Sequence, residues 1–289
     1  MNERGNPNIL IAVLTFRREE SLRICVNSVQ QSAKAGNIDA QIAIVDNDPT
    51  STVAPFSMDG VYRVHFGHGR VGVARNRVVR HARSRAVDFL ILLDDDEIVG
   101  PGWLANLIDT AMRYECGAVV GPVIPTGLPE RLVPLYARRR SQTGSIVAAA
   151  GAGNILLKMR ELGNMNFDES WSIPAGEDTE FTTRITRSGT RIVWCDEAVV
   201  HEPVDNSRLK YRWLARRYFN NGRALARIET NRRSLLAFAW FLARGLVGLS
   251  VTSTFVVGFA YVPWMRIVLD NGFMNLGWVY GRFEQGGRI

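Results

Sequence analysis

The stretch FLILLDDDE, from Phe89 to Glu97, constrains this chain more than any other part of it. Its first five residues are apolar, and such an unbroken run predicts a strand that is buried on both faces of a sheet. Three aspartates and a glutamate follow directly. Carboxylates this close together at the end of a buried strand repel one another unless a cation lies between them. Mg²⁺ and Mn²⁺ are the usual partners of such oxygen clusters. The alternative is a solvated acidic turn.

The composition is that of a globular, arginine-rich protein. The chain has 289 residues, of which 46% are apolar and 22% charged, which allows one large α/β domain or one domain plus an appendage. Arg carries nearly all of the positive charge behind the net +7, because Lys occurs only at positions 34, 158 and 210. This bias favours binding to phosphates, nucleic acid or an anionic membrane. A GC-rich coding sequence would produce the same bias without any function.

The cysteines and the N-terminus indicate a reducing compartment. Cys25, Cys116 and Cys195 are scattered, odd in number and without CxxC spacing, so we expect neither structural disulfides nor structural zinc. The first residues, MNERGNPN, lack the apolar segment of a secretory signal.

Strands and helices alternate over about the first 110 residues, which predicts a parallel sheet. We expect strands at Ile9–Leu14, Gln41–Val45 and Val61–Phe66, and helices at 19–33, 73–84 and 103–114. Ligands of such sheets bind beyond the carboxyl ends of the strands, where Thr15, Asp46 and Asp94–Asp96 should gather. The Gly-rich segment Gly67–Gly72 matches GxGxxG by letter only. It follows the third strand and lacks an acidic residue about 20 positions on, so we interpret it as a flexible turn.

A second pair of carboxylates, Glu177 and Asp178, opens a predicted helix that runs to about Ser188. A general base facing an acceptor hydroxyl is the functional interpretation. The alternative is that acidic residues simply favour the first turn of a helix because of its dipole. Farther on, His201 stands in the sequence VVHE. It would be a metal ligand only if its strand returns to the acidic run.

The C-terminal third is basic and then apolar. Between Arg208 and Arg233 there are nine Arg and Lys residues but one acidic residue, Glu229, and aromatic residues lie among them. Gly245–Trp264 is then free of charge for 20 residues, a length of about 30 Å as a helix, the thickness of a bilayer core. We expect membrane association, by a spanning helix or by helices that are re-entrant or lie in the plane. A hairpin buried in a protein core is the alternative.

Six segments together resemble the inverting glycosyltransferases of family 2, which have the GT-A fold. The segments are IAVLTFRR, IAIVDNDPT, GVARNRVVRHA, LLDDDEIVGPGWL, AGEDTEFTTRITRSG and VVHEP. LLDDDE and GEDTEF are most similar to the bacterial exopolysaccharide glucosyltransferases of the succinoglycan type. The resemblance implies an α/β fold of the GT-A kind, Rossmann-like, with a mostly parallel mixed sheet flanked by helices and a C-terminal helical region that associates with membrane.

The resemblance also implies a domain division, a reaction and a location. Residues 1–205 would form the domain that binds the nucleotide-sugar and catalyses transfer, and residues 206–289 a basic amphipathic helix followed by hydrophobic membrane-associating helices. The enzyme would move a hexose, such as glucose, from a UDP-sugar to a saccharide acceptor that is carried by a lipid. We expect it at the cytoplasmic face of a bacterial inner membrane, in exopolysaccharide biosynthesis, without nucleic acid as a partner.

Roles for individual residues follow from the same resemblance. The residues expected to bind the donor are Thr15, Arg17, Asp46, Arg75, Asn76, Asp94 and Asp95. Asp96 would bind Mn²⁺ or Mg²⁺ through the DxD motif, with His201 as a second ligand. Asp178 would be the catalytic base and Glu177 would support it. The chain departs from the family pattern in the acidic middle residue of its DxD, in the extra carboxylate Glu97, and in DNDPT where DNGS or DDGS is usual.

Three other functions stay open on the sequence alone. A sugar nucleotidyltransferase would use a similar sheet, although the Gly-rich loop with Lys that such enzymes carry after the first strand is missing. A binding protein that kept the fold and lost catalysis is the second, and both carboxylate centres argue against it. A nucleic-acid binder that uses the Arg-rich helix is the third.

Overall fold

The computed structural model describes residues 7–50, 61–65, 69–229, 243 and 269–284. They fall into two compact units. The first contains the described residues up to Ile124, then Arg138–Trp171 and Phe181–Pro203. The second contains Pro125–Ala137, Ser172–Glu180 and the described residues from Val204 onward. The sequence predicts a division at about residue 205 instead, and that boundary stays a prediction.

The main sheet has eight strands in the order β3-β2-β1-β4-β9-β6-β10-β8. A smaller sheet has the order β5-β11-β7. The strands are β1 (Ile9–Thr15), β2 (Gln41–Asp46), β3 (Val61–His65), β4 (Phe89–Asp94), β5 (Ile98–Val99), β6 (Ala118–Val120), β7 (Val123–Thr126), β8 (Ile146–Val147), β9 (Asn154–Lys158), β10 (Ile192–Trp194) and β11 (Val200–Pro203). Strands β1 to β4 pair in parallel, as expected, whereas β9 runs antiparallel between β4 and β6. The predicted mixed α/β sheet is confirmed.

Helices flank this sheet. Those that the structure describes are α1 (Glu19–Ala35), α2 (Val71–Ser84), α3 (Trp103–Arg113), α4 (Val133–Tyr136), α5 (Met159–Leu162), α6 (Glu177–Arg187), α7 (Tyr211–Ile228) and α8 (Asn275–Glu284). Helix α2 begins two residues earlier than the sequence predicts. Residues 66–68, where the sequence predicts the end of the third strand and the start of the Gly-rich turn, lie outside the described residues.

Strand β4 is buried on both faces, as its apolar run predicts. Phe89, Ile91 and Leu93 belong to the core cluster that also contains residues of α1 and α3. Leu90 and Leu92 belong to the cluster on the opposite face, with residues of α2 and α6. Burial of each such side chain contributes about 1.5–3 kcal/mol. The strand that ends in the acidic run is therefore one of the most firmly held parts of the first unit.

The strand register brings the predicted polar residues to one edge of the sheet. Leu14 of β1 lies opposite Asp94 of β4, and Thr15 lies opposite Asp46 of β2. The carboxyl ends of three neighbouring parallel strands therefore meet, as the alternation of strands and helices predicts.

The segment Val119–Val147, which its prolines predict to be a loop, contains regular structure. It contains the last two residues of β6, all of β7 and β8, and the short helix α4. Elements of two to four residues are too short to show a hydrophobic period, so the sequence pattern misses them.

In the second unit α7 and α8 pack at very short range. A Cβ on Gly222 would lie 1.9 Å from the carbonyl oxygen of Met274, and one on Gly277 would lie 1.9 Å from that of Phe219. Only glycine allows these helix backbones to approach so closely. The predicted membrane segment Gly245–Trp264 lies outside the described residues, and none of the described helices is both long and apolar enough to cross a bilayer.

Candidate active site

The acidic run folds as a tight turn at the end of β4. The backbone N–H of Glu97 donates to the carbonyl oxygen of Asp94 across 3.3 Å and closes the turn. Asp95 and Glu97 are buried, at 3% exposure each, whereas Asp94 and Asp96 are half-buried. The turn therefore directs two carboxylates into the protein and leaves two accessible.

Asp95 is held by hydrogen bonds from the end of β1 and from the residue after it. Its Oδ2 accepts from the hydroxyl of Thr15 at 2.7 Å and from the backbone N–H of Phe16 at 3.3 Å. Burial raises the pKa of the Asp95 carboxyl, and the Thr15 hydrogen bond and the charge of Arg18 oppose that rise. This geometry gives Thr15 and Asp95 a positioning role, and their contact with a donor stays a prediction.

Arg18 is a site residue that sequence reasoning missed. Its Nη1 donates to Asp95 Oδ1 at 3.0 Å and to Asp96 Oδ2 at 2.7 Å. One guanidinium thus offsets the repulsion between two adjacent carboxylates, so the negative charge of the acidic run is partly compensated within the protein. The signal was available, because a cation follows the strand that neighbours the acidic run.

Glu97 is the second buried acid of the turn. Burial first, and then the negative charge of Asp94, raise the pKa of the Glu97 carboxyl well above its ordinary value. Its Oε2 accepts from the backbone N–H of Asp94 at 3.1 Å. A Cβ on Gly153 would lie 2.7 Å from Glu97 Oε1 and 2.9 Å from Asp94 Oδ2. The missing side chain at position 153 therefore leaves room beside these two carboxylates.

Arg75 of α2 contacts the accessible side of the turn. Its Nη2 lies 3.3 Å from Asp94 Oδ1, and its side chain is only 7% exposed. Both residues line a small cavity between α2 and the strand ends. The other lining residues are Ala12, Leu14, Val45, Val78, Leu92, Leu93 and Ala152. Arg75 and Asp94, two predicted donor-binding residues, are thus brought together at the strand ends.

Asn76, the next residue, bonds to the protein instead. Its Oδ1 accepts from the N–H of Phe167 at 2.6 Å, and its Nδ2 donates to the carbonyl oxygen of Phe167 and to Glu169 Oε1, each at 2.9 Å. The side chain is buried. Its predicted place near the nucleotide stays a prediction, and the observed bonds are those of a structural clamp.

The turn after β2 carries two fully buried carboxylates. Asp46 forms an ion pair with Arg63 of β3 and accepts from the backbone N–H of Asp48 at 3.0 Å. Asp48 accepts two bonds from Arg17, at 2.8 and 3.1 Å. The second aspartate of the unusual DNDPT sequence, Asp48, therefore ties this turn to Arg17. The predicted donor contacts of Arg17 and Asp46 stay predictions.

Asn47 lies between these two acids and was not expected in the site. It is 2% exposed, and its Oδ1 has no hydrogen-bond partner within the described part of the chain. A buried acceptor without a donor costs about 1–3 kcal/mol, so a ligand N–H or O–H in this position would recover that free energy.

Strand β11 returns to the acidic turn, as the His201 hypothesis requires. It pairs with β5, and His201 lies opposite Ile98. His201 itself is exposed, however, whereas Glu202 is buried and forms an ion pair with Arg138. The charge of Glu202 contributes to the raised pKa of Glu97. Sequence reasoning missed Glu202, and His201 as a metal ligand stays a prediction.

The donor set at the turn fits an ion that a substrate helps to hold. Among the described residues, no group of three or more His, Cys, Asp or Glu side chains is arranged to hold a metal. Asp94 and Asp96 nevertheless present accessible carboxylate oxygens at one edge of the sheet. Mg²⁺ commonly takes one or two carboxylates and completes its shell with phosphate oxygens and water. The residues therefore suit a shared ion and not an all-protein cage.

Glu177 and Asp178 lie in the second unit, in the first turn of α6. Gly176, with φ of 81°, precedes them in the left-handed region that favours glycine. Both acids are half-buried, and Asp178 Oδ1 accepts from the backbone N–H of Thr179 at 2.6 Å. A carboxylate that bonds backbone N–H groups at a helix start also fits the dipole interpretation, so the base assignment stays a prediction.

Comparison with known proteins bears directly on this site. A family profile described as "Glycosyl transferase family 2" matches residues 10–157. A succinoglycan biosynthesis protein, ExoM of Rhizobium meliloti (strain 1021), is 30% identical, and the match covers 82% of this chain and 80% of that protein. The matched region contains the strand ends, the acidic turn and α2. The resemblance seen in the sequence motifs is thereby confirmed.

Solved structures share the fold. A mannosyltransferase of Pyrobaculum calidifontis in complex with GDP-Man and Mn²⁺ has a TM-score of 0.61 and 15% identity, over 97% of this chain and 88% of that one. Residues 1–349 of S. aureus TarS in complex with UDP have a TM-score of 0.53 and 14% identity, over 97% and 92%. At these identities the likeness shows the GT-A fold alone.

Proposed function

The chain belongs to glycosyltransferase family 2, and we propose that it transfers a hexose, such as glucose, from a UDP-sugar to a saccharide acceptor with inversion at the anomeric carbon. The succinoglycan biosynthesis relative supports a role in making bacterial exopolysaccharide. The solved neighbours that hold UDP or GDP-Man support a nucleotide-sugar donor.

The observation that carries this proposal is that the carboxylates of the acidic turn differ in their burial and in their partners. Asp95 is buried and bonded to Thr15, whereas Asp94 and Asp96 are half-buried, and Arg18 donates to both Asp95 and Asp96. Arg75 lies beside Asp94. Carboxylates for a cation and an arginine for phosphate oxygens at one strand edge are what a diphosphate with its metal requires.

Asp96, with Asp94, would hold the divalent ion, Mn²⁺ or Mg²⁺. The ion would neutralise the negative charge that develops on the departing diphosphate. Arg18 stays paired with Asp95 and keeps the turn in shape when the ion is bound. His201, which is exposed on β11, is proposed as a further ligand from the family resemblance.

Asp178, supported by Glu177, would act as the general base. Asp178 lies in the first turn of α6, at the positive end of the helix dipole. It would take the proton of the acceptor hydroxyl while that oxygen attacks the anomeric carbon. One in-line displacement inverts the configuration and needs no covalent enzyme intermediate.

Thr15, Asp46 and Asn47 lie at the strand ends where the uracil and ribose would bind. The buried Oδ1 of Asn47 has no hydrogen-bond partner among the described residues, and a nucleobase N–H or a ribose hydroxyl would supply one. A TarS structure with UDP-GlcNAc and the mannosyltransferase with GDP-Man show that the fold accepts different bases in other proteins. The preference for UDP is therefore part of the proposal.

The acceptor would be a growing saccharide carried by a lipid at the cytoplasmic face of the inner membrane. Helix α7 supports this part of the proposal, because it carries basic side chains among aromatic ones such as Trp213 and Tyr218. Such helices bind anionic lipid surfaces.

The test is a donor screen with the purified full-length protein. UDP-, GDP- and dTDP-sugars are incubated with Mn²⁺ or with EDTA, and release of the nucleoside diphosphate is measured. We expect metal-dependent release from UDP-glucose or a related UDP-hexose. In a parallel incubation with a nucleoside triphosphate and a sugar 1-phosphate, formation of the nucleotide-sugar with release of pyrophosphate would support a nucleotidyltransferase instead. A protein that binds donors but never releases the diphosphate, with any acceptor, would be a binding protein.

A further inference from the structure

The ring of Phe167 lies between an arginine of the donor site and helix α6. It stacks on the ring of Phe181, with centroids 3.8 Å apart and planes 17° from parallel. The guanidinium carbon of Arg75 lies 5.6 Å from the Phe167 centroid. Phe167 is 3% exposed and Phe181 is fully buried. An aromatic face in this place attracts the cation and limits the orientations that its planar group can take.

The backbone of Phe167 is fixed as firmly as its ring. Asn76 bonds both its N–H and its carbonyl oxygen, at 2.6 and 2.9 Å. The preceding residues are bonded as well, since Arg83 donates to the carbonyl oxygen of Met165 at 2.7 Å and Arg184 to that of Asn166 at 2.7 Å. Bonds from α2 and α6 therefore hold this segment in one conformation.

Arg75 needs such support for its task. An arginine side chain loses rotamer entropy when one conformation is selected. Its Nη2 bond to Asp94 is long, at 3.3 Å, and by itself fixes the guanidinium weakly. The Phe167 face adds a restraint on the guanidinium, so the cation is held in place before any ligand arrives.

We propose that Phe167 is a positioning residue for donor binding, whose ring holds the Arg75 guanidinium beside Asp94 in the orientation that meets the diphosphate of the donor. The proposal rests on the proposed function, because it names the step that Arg75 serves. The ligand class is a nucleoside diphosphate. Phe167 acts through Arg75 and contacts no part of the ligand itself.

The test compares UDP with uridine, which lacks the diphosphate. Dissociation constants for both, with Mn²⁺, are measured by calorimetry for the wild-type full chain, Phe167→Met, Arg75→Ala and the double variant. Methionine fills most of the ring's space and keeps a sulfur–aromatic contact with Phe181 but offers no aromatic face. Phe167→Tyr keeps the aromatic ring beside Arg75 and serves as the conservative substitution. Arg83→Gln is the matched control, because it loosens the same segment without touching Phe167 or Arg75.

We expect Phe167→Met to weaken UDP binding about tenfold and to leave uridine binding within about twofold. Phe167→Tyr and Arg83→Gln should bind UDP like the wild type. In the double variant the loss should equal that of Arg75→Ala alone, because a positioning residue has nothing left to position. Equal losses for UDP and uridine, or losses that add in the double variant, would overturn the proposal.

Three further outcomes are distinguishable. If Phe167→Met does not fold, Arg75→Lys replaces it, since lysine keeps the charge but lacks the planar stacking group. Wild-type UDP affinity in Arg75→Lys would then overturn the proposal, and a selective loss for UDP would support it. A wild-type protein that binds no UDP contradicts the proposed function and this inference together. Wild-type binding with no effect of Phe167→Met contradicts the inference alone.

Discussion

The hydroxyl of Thr15 donates to Asp95 across 2.7 Å and ties the end of β1 to the acidic turn that follows β4. The two residues are 80 positions apart in the chain. Both are buried, so this bond replaces contacts with water that neither group retains. It lets a buried carboxylate in the middle of the run remain inside the protein while its neighbours stay accessible.

Replacing Thr15 by Val should destabilise the fold by about 1–3 kcal/mol, because Asp95 loses a hydrogen bond inside the protein. The cost should depend on pH. Burial raises the pKa of Asp95 and the Thr15 bond lowers it, so the loss of Thr15 raises the pKa further and penalises the ionised carboxylate. The variant's loss of stability should therefore be larger at pH 7 than near pH 4, where Asp95 is more often protonated.

Urea unfolding at both pH values checks this prediction. Thr182→Val is the matched control, because its buried hydroxyl donates to the backbone carbonyl oxygen of Ala150 and accepts from its N–H. The control's cost should be the same at both pH values. A Thr15→Val cost that does not change with pH would contradict the role given to the Thr15–Asp95 bond.

Asp96→Ala should abolish metal-dependent binding of UDP while the protein stays folded. The side chain is accessible, and its removal relieves repulsion with Asp95 instead of emptying a core. Calorimetric titration of UDP with and without Mn²⁺ measures the effect. Asp109→Ala, an exposed carboxylate on α3, is the control and should bind as the wild type does. Unchanged metal dependence in Asp96→Ala would remove Asp96 from the metal site.

Gly153→Ala should reduce donor binding by about tenfold or more. Its added Cβ would lie within 3 Å of Glu97 Oε1 and Asp94 Oδ2, so at least one carboxylate must move. The binding constant for UDP with Mn²⁺ reports the effect, and thermal unfolding reports any loss of stability. At Gly100 an added Cβ meets nothing within 4 Å, so Gly100→Ala is the control. Wild-type UDP affinity in Gly153→Ala would show that the space between the carboxylates is not used.

Asp178→Asn should keep donor and metal binding and lose sugar transfer by two or more orders of magnitude, since general-base help is worth about 10²–10⁴-fold. Glu177→Gln should cost less if it orients its neighbour. Rates of transfer at saturating donor, together with proton NMR of the new linkage, test both points. A product that retains the donor's anomeric configuration would contradict the single displacement, and with it Asp178 as base.

Arg212→Glu together with Arg216→Glu should weaken binding to vesicles that contain anionic lipid. Both side chains are exposed on α7, and each basic residue near such a surface contributes about 1 kcal/mol. Vesicle flotation at fixed ionic strength measures the effect. Arg113→Glu together with Arg160→Glu, both exposed in the first unit, makes the same change in net charge and is the control. Equal flotation of the α7 variant and the wild type would contradict α7 as the lipid-binding helix.

Substitution is preferable to truncation here. Removing the chain from Ser234 onward would also remove α8, and the glycines of α7 are matched to the backbone of that helix. A loss of membrane binding after truncation would therefore not separate lost lipid contacts from a disrupted second unit.

The sequence by itself determined the parts of this protein that depend on periodicity and on strand order. The apolar run before the acidic turn predicted a strand buried on both faces, and β4 is one. Alternating strands and helices predicted that Thr15, Asp46 and Asp94 meet at one edge of the sheet, and the register of β1, β2 and β4 confirms it. Local patterns carry this information because neighbouring residues share one element.

Only the tertiary structure decided which charged groups are paired and which remain accessible. Four adjacent acids look alike in the sequence, yet Asp95 and Glu97 are buried while Asp94 and Asp96 are not. The partners that make this possible, among them Arg18 for Asp95 and Asp96 and Phe167 beside Arg75, come from distant parts of the chain. Such pairings depend on the three-dimensional approach of side chains, because the free energy of burying a charge is set by what surrounds it and not by its neighbours in sequence.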